Sequence, residues 1–337
     1  MIKVAVVGFG WWGKHITRRL KDSMRLKVVS VVEPVAERQE EIRNLGVDVI
    51  NSLEDALGRA DIDAVILTTP NPFHEEQVVA SAKAGKHVFC EKPLGLTAAS
   101  ARRSVAACVE AGVQLGIGHE RRFEPAMQAL ARMISAGELG TIMHAEAAFS
   151  HDKLKGVPRG DWRTSKAVSP AAGMTAMGIH LTDLYISLFG PVRTVQALTA
   201  DRILGWETGD VVSVQLGFEA GITATLSAVL CTPHFIRMQV FGSDRWVEVR
   251  NDTHPDTPGG TAEMVVAHSQ EGHSRTSFEW SDTVRANLEA FADAIEGAAP
   301  YPYTYEQMVH NIEVLEAITR SAEGGETIHL SRACEPA

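Results

Sequence analysis

A glycine-rich turn near the start of the chain limits the possible folds more than any other feature of the sequence. The turn, Gly8-Phe9-Gly10-Trp11-Trp12-Gly13, follows the apolar run Val4 to Val7 and precedes a helical pattern. An apolar strand, a G-x-G-x-x-G turn and a helix form the context in which this motif predicts dinucleotide binding. Gly8 permits the tight turn, Gly10 lets a pyrophosphate approach the backbone, and Gly13 lets the helix pack on the strand.

The residues that surround this turn indicate which dinucleotide we should expect. A second apolar run, Leu26 to Val32, ends at Glu33, about 20 residues after the turn, where an acidic side chain can accept hydrogen bonds from the adenosine ribose hydroxyls. Glu33 would repel a 2′-phosphate, so we expect NAD rather than NADP, although Arg38, further along the chain, moderates that repulsion. Trp11 and Trp12 either line the nicotinamide side of the cleft or pack against a second domain.

Strands and helices alternate through the first third of the chain. The pattern predicts strands at Ala64 to Leu67, Val88 to Cys90 and Val113 to Ile117, and helices at Ser52 to Leu57, Glu75 to Ala84 and Ala98 to Ala111. Such alternation with short connections predicts an α/β fold with a doubly wound parallel sheet. We expect this dinucleotide-binding domain to comprise residues 1–121.

A charged tripeptide follows one of these strands. Glu91-Lys92-Pro93 stands where the strand Val88 to Cys90 should finish, and the carboxyl ends of strands in an open parallel sheet face the ligand crevice. Pro93 removes a backbone donor and keeps Lys92 out of the helical conformation, which can hold the ammonium in a fixed position. We therefore expect Glu91 and Lys92 at the cofactor mouth. A solvated strand end is the alternative interpretation of the tripeptide alone.

The remaining residues, 122–337, predict a second domain of the α+β class. After a helix from Pro125 to Ser135, strands are predicted at Thr141 to Phe149, Val192 to Thr199, Val211 to Phe218, Ile222 to Leu230, Ile236 to Phe241, Trp246 to Arg250 and Glu263 to Ala267. Two helices, Val284 to Glu296 and Tyr305 to Ala322, are expected to close the domain. Hairpin-like spacing predicts a large, mostly antiparallel open sheet, whose uncovered face a second subunit could cover.

Composition excludes several classes of partner. The chain has 337 residues, 45% of them apolar, and a net charge of −10, which argues against nucleic acid and anionic membranes. The N-terminal apolar run is too short for a secretory signal, and no segment approaches the ~20 apolar residues of a membrane span. The four cysteines form no C-x-x-C pair, and no histidine pair has metal-ligand spacing with a third ligand. We expect a cytoplasmic enzyme without a metal.

The conjunction of motifs resembles the Gfo/Idh/MocA family of NAD(P)-dependent oxidoreductases. The resemblance rests on the glycine turn, Thr69-Pro70-Asn71 with His74, Gly85-Lys86-His87-Val88, Glu91-Lys92-Pro93, Arg121-Arg122-Phe123, Asp161-Trp162-Arg163 and Gly178-Ile179-His180-Leu181-Thr182-Asp183-Leu184. It covers essentially the whole chain. It implies a Rossmann domain followed by a sheet domain that forms a homodimer or homotetramer through its open face, with cofactor and substrate meeting between the domains.

The resemblance also implies roles for individual residues. Lys92 corresponds to the lysine that touches the nicotinamide ribose and the substrate hydroxyl, its bond to Pro93 is often cis, and His180 corresponds to the usual proton acceptor. The residues expected at the cofactor are Gly8, Phe9, Gly10, Trp11, Trp12, Gly13, Glu33, Arg38, Thr69, Pro70, Asn71, His74, Glu91, Lys92, Trp162 and Arg163. Those expected at the substrate are Lys92, Arg122, Lys153, Arg159, Arg163, Met177, His180 and Asp183.

One position departs from the family pattern. Many sugar-oxidising members carry an aspartate four residues before the histidine, and this chain has Ala176 there, so polyol chemistry does not transfer directly. The glycine-rich approach to this helix is also reduced, to Ala171-Ala172-Gly173. Asp183 lies three residues after His180 on the same predicted helix, where it either orients the imidazole or acts as a structural acid.

The segment from His151 to Arg163 is locally basic in an acidic protein. One hypothesis is that Lys153, Arg159 or Arg163, together with Arg122, binds a substrate carboxylate. The alternative is a solvated loop in which Trp162 and Arg163 contact the cofactor, as the resemblance implies.

These observations predict an NAD-dependent dehydrogenase or reductase that acts on a secondary alcohol or ketone of a small polar molecule: a sugar, a cyclitol or a hydroxylated carboxylate. His180 is suited to accept the hydroxyl proton near neutral pH, and Lys92 to stabilise the developing alkoxide. Two alternatives stay open. One is a dinucleotide-binding regulatory protein on the same fold, and the other is a redox-assisted lyase or hydrolase that recycles its NAD.

Overall fold

The computed structural model describes residues 1–269 and 272–330. These residues divide into two units, of which the first contains Met1–Glu120 and Asp282–Val309. The second contains the described residues of Arg121–Ser281 and those from His310 to Leu330.

A six-stranded parallel sheet is the framework of the first unit. Its strands are β1 (Ile2–Val7), β2 (Leu26–Val32), β3 (Asp48–Ile50), β4 (Ala64–Leu67), β5 (His87–Cys90) and β6 (Leu115–Ile117), in the spatial order β3-β2-β1-β4-β5-β6. The connecting helices are α1 (Trp11–Arg19), α2 (Ala36–Asn44), α3 (Leu53–Leu57), α4 (His74–Lys83) and α5 (Ala98–Ala111). The strand order reverses between β1 and β4, the position at which such sheets bind ligands. The predicted doubly wound sheet is confirmed.

Local sequence signals account for the ends of several helices in this unit. The Ser52 side chain accepts a hydrogen bond from the backbone of Asp55 and so caps α3, as its position predicted. Helix α5 begins with a capping box at Thr97 and ends at Gly112, whose φ of 64° favours glycine. Helix α1 begins at Trp11, so both tryptophans lie in its first turn, although the apolar periodicity becomes visible only later.

A nine-stranded sheet is the framework of the second unit. Its strands are β7 (Ile142–Ser150), β8 (Val192–Ala200), β9 (Val211–Phe218), β10 (Thr223–Val229), β11 (Phe235–Gly242), β12 (Arg245–Asn251), β13 (Thr261–His268), β14 (Gly272–Glu279) and β15 (Ile328–His329), in the order β14-β13-β12-β11-β7-β10-β9-β8-β15. Strands β7 and β10 are parallel, and the other neighbours are antiparallel. Helices α6 (Pro125–Ser135) and α7 (Ile179–Phe189) belong to this unit. The mostly antiparallel sheet is confirmed.

The division of the chain differs from the predicted boundary in one segment. Residues 282–309 were expected in the second domain, but they belong to the first unit, where helix α8 (Thr283–Ile295) packs. Leu288 and Phe291 of α8 are fully buried in the core of that unit, and the Phe291 ring meets the edge of Phe89 with 5.6 Å between centroids. Sequence order alone does not reveal which sheet an amphipathic helix covers. The last helix is α9 (Tyr305–Gly324).

Three strands were not predicted because they lack the expected pattern. Strand β14 contains one large apolar residue, Phe278, and is almost entirely exposed at the edge of its sheet, so no apolar alternation marks it. Strands β3 and β15 contain three and two residues.

Two further expectations concern membranes and cysteines. Within residues 1–269 and 272–330, no helix is long and apolar enough to cross a membrane. Cys90, Cys108 and Cys231 carry free thiols, and Cys334 lies outside the described residues.

Candidate functional site

The glycine turn of the first unit has room for a dinucleotide. Gly8 has a φ of 92°, and the Thr68 hydroxyl donates to its carbonyl oxygen at 2.9 Å, which ties the turn to the end of β4. A Cβ on Gly13 would collide with the Gly8 carbonyl, so α1 can approach the turn only with glycine there. A Cβ on Gly10 would meet nothing within 4 Å. The backbone at Gly10 therefore faces open space beside the first turn of α1, which fits a pyrophosphate.

Glu33 lies at the end of β2 and is only 2% exposed. Its Oε2 accepts a hydrogen bond from the Phe9 backbone at 3.1 Å, and its Oε1 accepts one from the Val35 backbone at 3.0 Å. The Arg38 guanidinium lies 3.4 Å from Oε2. A carboxylate has about four acceptor positions, so these three donors leave capacity for one ribose hydroxyl. The carboxylate thus also fixes the glycine turn to β2, a role that the sequence did not indicate.

The two tryptophans of the turn have different environments. Trp12 packs against the core of the first unit, whereas Trp11 is 66% exposed. Their rings stack with 5.2 Å between centroids, and His15 stacks on Trp12 at 4.9 Å. Within the first unit, Trp11 is the member of the pair that presents its ring to solvent.

His74 joins two of the predicted cofactor segments. It is 1% exposed, and its Nδ1 lies 2.7 Å from the carbonyl of Pro93 while its Nε2 lies 2.9 Å from the carbonyl of Thr69. Burial lowers the pKa of His74, and the two carbonyl contacts oppose that shift. Pro70 and the buried Asn71 continue the same loop. His74 therefore positions the loop after β4 against the loop after β5.

The tripeptide Glu91-Lys92-Pro93 follows β5, as predicted. Glu91 is buried, Lys92 is half-buried, and the Glu91 carboxylate accepts a hydrogen bond from the Lys92 backbone at 3.2 Å. The Lys92–Pro93 peptide bond is cis, which agrees with the resemblance. Because all six strands are parallel, Lys92 lies at the same sheet edge as the glycine turn and Glu33.

In the second unit, His180 lies at the start of α7. A π-helical turn, Met174–Gly178, precedes the helix and contains Ala176 and the buried Met177. His180 is 5% exposed, and its ring lies 6.0 Å from that of Phe149 on β7. π-Helical turns inside helices occur frequently at functional sites. The approach to the turn has Ala171 and Ala172 at φ values of 56° and 50°, which non-glycine residues rarely adopt.

Asp183 and Arg122 form a bidentate ion pair. The Arg122 Nη2 lies 2.7 Å from Oδ1 of Asp183, and its Nε lies 2.8 Å from Oδ2. The two side chains are 11% and 4% exposed. This pairing uses the guanidinium face that was expected to bind a substrate carboxylate. It agrees with the interpretation of Asp183 as a structural acid.

The basic loop after β7 does not gather its cations at one point. Arg159 is exposed and donates to the Leu204 carbonyl at 3.5 Å. Arg163 lies 4.3 Å from the Trp162 ring centre and pairs with Asp161 at 3.1 Å. The Lys153 ammonium acts on the imidazoles of His151, His234 and His254.

Those histidines are the feature that the sequence analysis missed. The Phe149 ring lies 5.8 Å from His151 and 5.6 Å from His254, and the two imidazoles lie 5.3 Å from each other. Burial lowers the pKa of His151 to about 4 and that of His254 to about 2, and the Lys153 ammonium contributes to both shifts. His151 directly follows β7 and His254 lies between β12 and β13. Both positions follow predicted strands, but their proximity depends on a strand order that the sequence does not give.

This arrangement does not indicate a metal site. No group of three or more His, Cys, Asp or Glu residues is placed to hold a metal ion, as far as residues 1–269 and 272–330 show. The polar groups around the glycine turn are suited to a dinucleotide.

Comparison with known families gives two matches that together span most of the chain. Residues 2–119 match the model described as "Oxidoreductase family, NAD-binding Rossmann fold", and residues 127–248 match that of the "GFO/IDH/MocA C-terminal domain". The first unit is therefore an NAD-binding Rossmann domain.

Individual relatives are similar over most of their length. The chain is 29% identical to 1,5-anhydro-D-fructose reductase of Ensifer adhaerens, over 83% of this chain and 84% of the relative. It is 31% identical to 2,7-anhydro-N-acetylneuraminate hydratase of Escherichia coli, over 89% and 80%. The solved structure of a putative NADPH-dependent oxidoreductase from Desulfitobacterium hafniense superposes with a TM-score of 0.89 at 25% identity, covering 97% of each chain.

Proposed function

This chain is a member of the Gfo/Idh/MocA family of oxidoreductases, and we propose that it oxidises a secondary alcohol, or reduces the corresponding ketone, with NAD. Its substrate is a sugar, a cyclitol or a hydroxylated carboxylate. The observation that carries the proposal is the shared sheet edge of the first unit, where the glycine turn, Glu33 and Lys92 follow three parallel strands. The similarity to a reductase that is named for an anhydro sugar supports the substrate class.

The residues proposed to hold the cofactor fit a dinucleotide. Gly10 leaves space at the backbone for the pyrophosphate, and Glu33 retains acceptor capacity for a ribose hydroxyl. When bound, NAD supplies the hydride acceptor at its nicotinamide ring. Thr69, Pro70 and Asn71 are proposed to line the cofactor, with His74 holding their loop in place. Trp162 and Arg163 are proposed as further cofactor contacts.

Lys92 and His180 are proposed to perform the proton chemistry. Lys92 hydrogen-bonds the substrate hydroxyl and stabilises the negative charge that develops on its oxygen as the proton leaves. His180 accepts that proton, or returns it in the reductive direction. Ala176 cannot act as a carboxylate partner, and His180 lies buried beside Phe149. Met177 is proposed to line the apolar side of the substrate.

NAD is proposed as the preferred cofactor. Glu33 is buried and would meet a 2′-phosphate with like charge, which disfavours NADP. Arg38, the nearest cation to Glu33, is half exposed and could pair with that phosphate. The preference is therefore expected to be moderate in size.

Nicotinamide absorbance tests the proposal directly. The protein is incubated with NAD or NADP and a panel of sugars, cyclitols, sugar acids and hydroxylated cyclic carboxylates, beside the variants Lys92→Ala and His180→Ala. Turnover that falls by orders of magnitude in both variants supports the dehydrogenase. NAD binding without turnover of any panel member, and without any elimination product, contradicts it and favours the regulatory protein.

A hydratase among the relatives favours a second candidate function. A redox-assisted lyase or hydratase oxidises its substrate transiently and then returns the hydride, so that no net change occurs in the nicotinamide. The 31% identity to a hydratase, together with Ala176 in place of the family aspartate, supports this candidate. It predicts product detectable by chromatography or NMR without a lasting change in nicotinamide absorbance.

Assembly and location are also proposals. We propose a homodimer or homotetramer formed through the nine-stranded sheet, because Met143 of β7 and Leu198 of β8 are 59% and 69% exposed. A cytoplasmic location is proposed from the family's use of NAD, and sedimentation of the purified protein tests the assembly.

A further inference from the structure

The first turn of α7, which carries His180, is bound by a side chain from another helix of the second unit. Asn311 lies on α9 and is 1% exposed. Its Nδ2 donates a hydrogen bond to the Ile179 carbonyl at 3.3 Å, and its Oδ1 lies 2.5 Å from the Thr182 hydroxyl. Ile179 immediately precedes His180, and Thr182 follows it by two positions. One buried amide therefore joins the two ends of the segment that presents the imidazole.

The chemistry of the two partners determines the orientation of this amide. A backbone carbonyl only accepts hydrogen bonds, so the amide nitrogen faces Ile179 and the amide oxygen faces Thr182. Thr182 is fully buried, and its hydroxyl has one proton to donate. That hydroxyl also lies 3.1 Å from the Ile179 carbonyl, but the contact with Asn311 is shorter. The hydrogen bonds therefore run from Thr182 through Asn311 to Ile179.

These hydrogen bonds lie where the helix changes its backbone pattern. The π-helical turn ends at Gly178, and α7 begins at Ile179. A π-helix pairs residues five apart and an α-helix pairs residues four apart, so the pattern changes directly before His180. A side chain that binds the backbone at this junction restrains the position of the imidazole.

The Ile179 carbonyl is the group through which Asn311 acts on the imidazole. This carbonyl belongs to the planar peptide group that joins Ile179 to His180. A rotation of the peptide group changes the φ angle of His180 and so swings its side chain, and the hydrogen bond from Asn311 opposes that rotation. The pair of Arg122 and Asp183, by contrast, holds a side chain three residues further along the helix.

Helix α9 is itself attached to the sheet next to Asn311. The Nε2 of His310 accepts a hydrogen bond from the Val192 backbone at 2.8 Å. Its Nδ1 therefore carries the proton, which it donates to the Glu313 carboxylate at 2.7 Å. Val192 is the first residue of β8, the strand that follows α7. Two consecutive residues of α9 thus bind the start of α7 and the start of the next strand.

We propose that Asn311 and Thr182 are positioning residues for His180: together they hold the peptide group before it and so orient its imidazole towards the substrate hydroxyl. The inference rests on the proposed function for the role of His180. Neither residue is assigned a contact with substrate or cofactor, because both act through His180.

The position of the His180 imidazole is measurable without turnover. In the full protein with isotope-labelled histidine, the NMR signal of its Cε1–H group is identified by its absence in His180→Gln. The Phe149 ring lies 6.0 Å away, so its ring current makes the signal sensitive to displacement. Asn311→Leu removes the amide and Thr182→Val removes the hydroxyl, each at nearly constant volume. We expect both to displace the signal, and Thr182→Ser, which keeps the hydroxyl, to displace it less.

Tyr185→Phe is the matched control for the loss of a buried hydrogen bond. Tyr185 is a buried residue of the same helix, and its hydroxyl donates to the Thr225 carbonyl at 2.8 Å. The control should leave the His180 signal in place, which separates positioning from a general weakening of α7. Thr182→Val, the smaller change, provides the test if Asn311→Leu does not fold.

Catalytic rate provides a second measurement with any substrate that the panel identifies. We expect Asn311→Leu and Thr182→Val to lower kcat about 10- to 100-fold, because a misplaced reacting group reduces the rate. The dissociation constant of NAD should stay unchanged. Thr182→Ser should retain most of the wild-type kcat, and Tyr185→Phe all of it.

The outcomes separate this inference from the proposed function. A His180 signal that stays in place in the folded variants Asn311→Leu and Thr182→Val would overturn the positioning role, even if the wild type is an active dehydrogenase. A signal displaced equally in Tyr185→Phe, or an unchanged kcat in an active enzyme, would also overturn it. If the wild type turns over no substrate, the proposed function fails, whereas a displaced His180 signal still supports the hold of Asn311 and Thr182 on the imidazole.

Discussion

The edge of the parallel sheet in the first unit and the histidine cluster of the second unit, formed by His151 and His254 beside Phe149, hold their polar groups in different ways. At the sheet edge, Glu33 receives two backbone N–H groups, and His74 contacts two carbonyls. In the cluster, burial and the Lys153 ammonium lower the pKa values of both imidazoles, and Nδ1 of His254 lies 3.3 Å from a carboxylate oxygen of Asp256. The polar groups of the first region are paired with one another, whereas the imidazoles of the second region are buried with lowered pKa values.

This difference indicates a division of labour. A region whose polar groups are already paired keeps its geometry when the ligand leaves, which suits a cofactor site shared by many substrates. A region whose imidazoles are buried with lowered pKa values loses stability as the pH falls. We therefore expect substitutions at the sheet edge to alter cofactor affinity, and substitutions near Phe149 to alter acid stability.

The largest expected effect is a loss of kcat when His180 or Lys92, the residues proposed to perform the proton chemistry, is replaced. His180→Ala should lower kcat by about 10²- to 10⁴-fold, because it removes the proton acceptor. Lys92→Ala should lower kcat to a similar degree. The two variants should differ in their effect on NAD affinity. We expect His180→Ala to leave the dissociation constant of NAD unchanged, as measured by protein fluorescence. A large loss of NAD affinity in His180→Ala would contradict the division of labour.

The next effect concerns Arg122 and Asp183. Their charged groups pair with each other, as the polar groups at the sheet edge do, although both residues lie in the second unit. Arg122→Ala leaves the buried Asp183 carboxylate unpaired and should lower the free energy of unfolding by about 3 kcal/mol. The double variant Arg122→Ala, Asp183→Ala should recover part of that loss. Urea titration of the single and double variants measures the coupling. If the double variant loses the sum of the single effects, the pair contributes no coupling and our description of it is wrong.

Much of the first region was predictable from the sequence, whereas the second was not. The glycine turn, Glu33 and the tripeptide at Lys92 are local motifs, and each directly follows a strand that its apolar run reveals. The Phe149 contacts join residues from three separate loops or strands, and they depend on the pairing of β7 with β11 and of β11 with β12. Single-sequence periodicity identifies strands but not their neighbours. The pairing of Arg122 with Asp183 was missed for the same reason.

Acid stability should distinguish the histidine cluster from the sheet edge. The pKa of His151 is about 4 in the folded protein and near ~6.5 in the unfolded chain, so the unfolded state binds more protons between these values. Stability is therefore complete above about pH 6.5 and falls as the pH drops towards 4, by roughly 2 kcal/mol at pH 5 from this residue. His151→Phe should remove this contribution and leave that of His254, whose pKa is also lowered by burial, so the dependence becomes shallower than in the wild type.

Chemical denaturation between pH 8 and 5 provides the measurement. His329→Gln is the control, because His329 is exposed and lies on β15 away from Phe149. We expect it to follow the wild type at every pH. A wild-type curve as flat as that of His151→Phe would show that the cluster does not exclude protons in the folded state.

Substitution of Glu33 tests how the loss of one negative charge at the sheet edge changes the preference between the two cofactors. Glu33→Gln keeps an acceptor for the Phe9 backbone but removes the negative charge that disfavours a 2′-phosphate. We expect the preference for NAD over NADP to fall by about tenfold, or ~1.4 kcal/mol. Dissociation constants for both cofactors give the ratio. Arg38→Ala should shift it in the opposite direction, and a ratio that neither variant changes would remove Glu33 from the proposed selectivity.

The smallest expected effect concerns the backbone that leads to His180. Ala172 has a φ of 50°, which an L-residue adopts at a cost and glycine adopts freely. Ala172→Gly should therefore raise the free energy of unfolding by about 0.5 kcal/mol, after the extra chain entropy of glycine is subtracted. Ala106→Gly is the control: Ala106 is exposed within α5, and the same substitution there should cost about 1 kcal/mol. Opposite signs at the two positions would show that the approach to His180 is held under strain by its surroundings. Equal losses would show that the reduction of the glycine-rich approach to Ala171-Ala172-Gly173 carries no energetic cost.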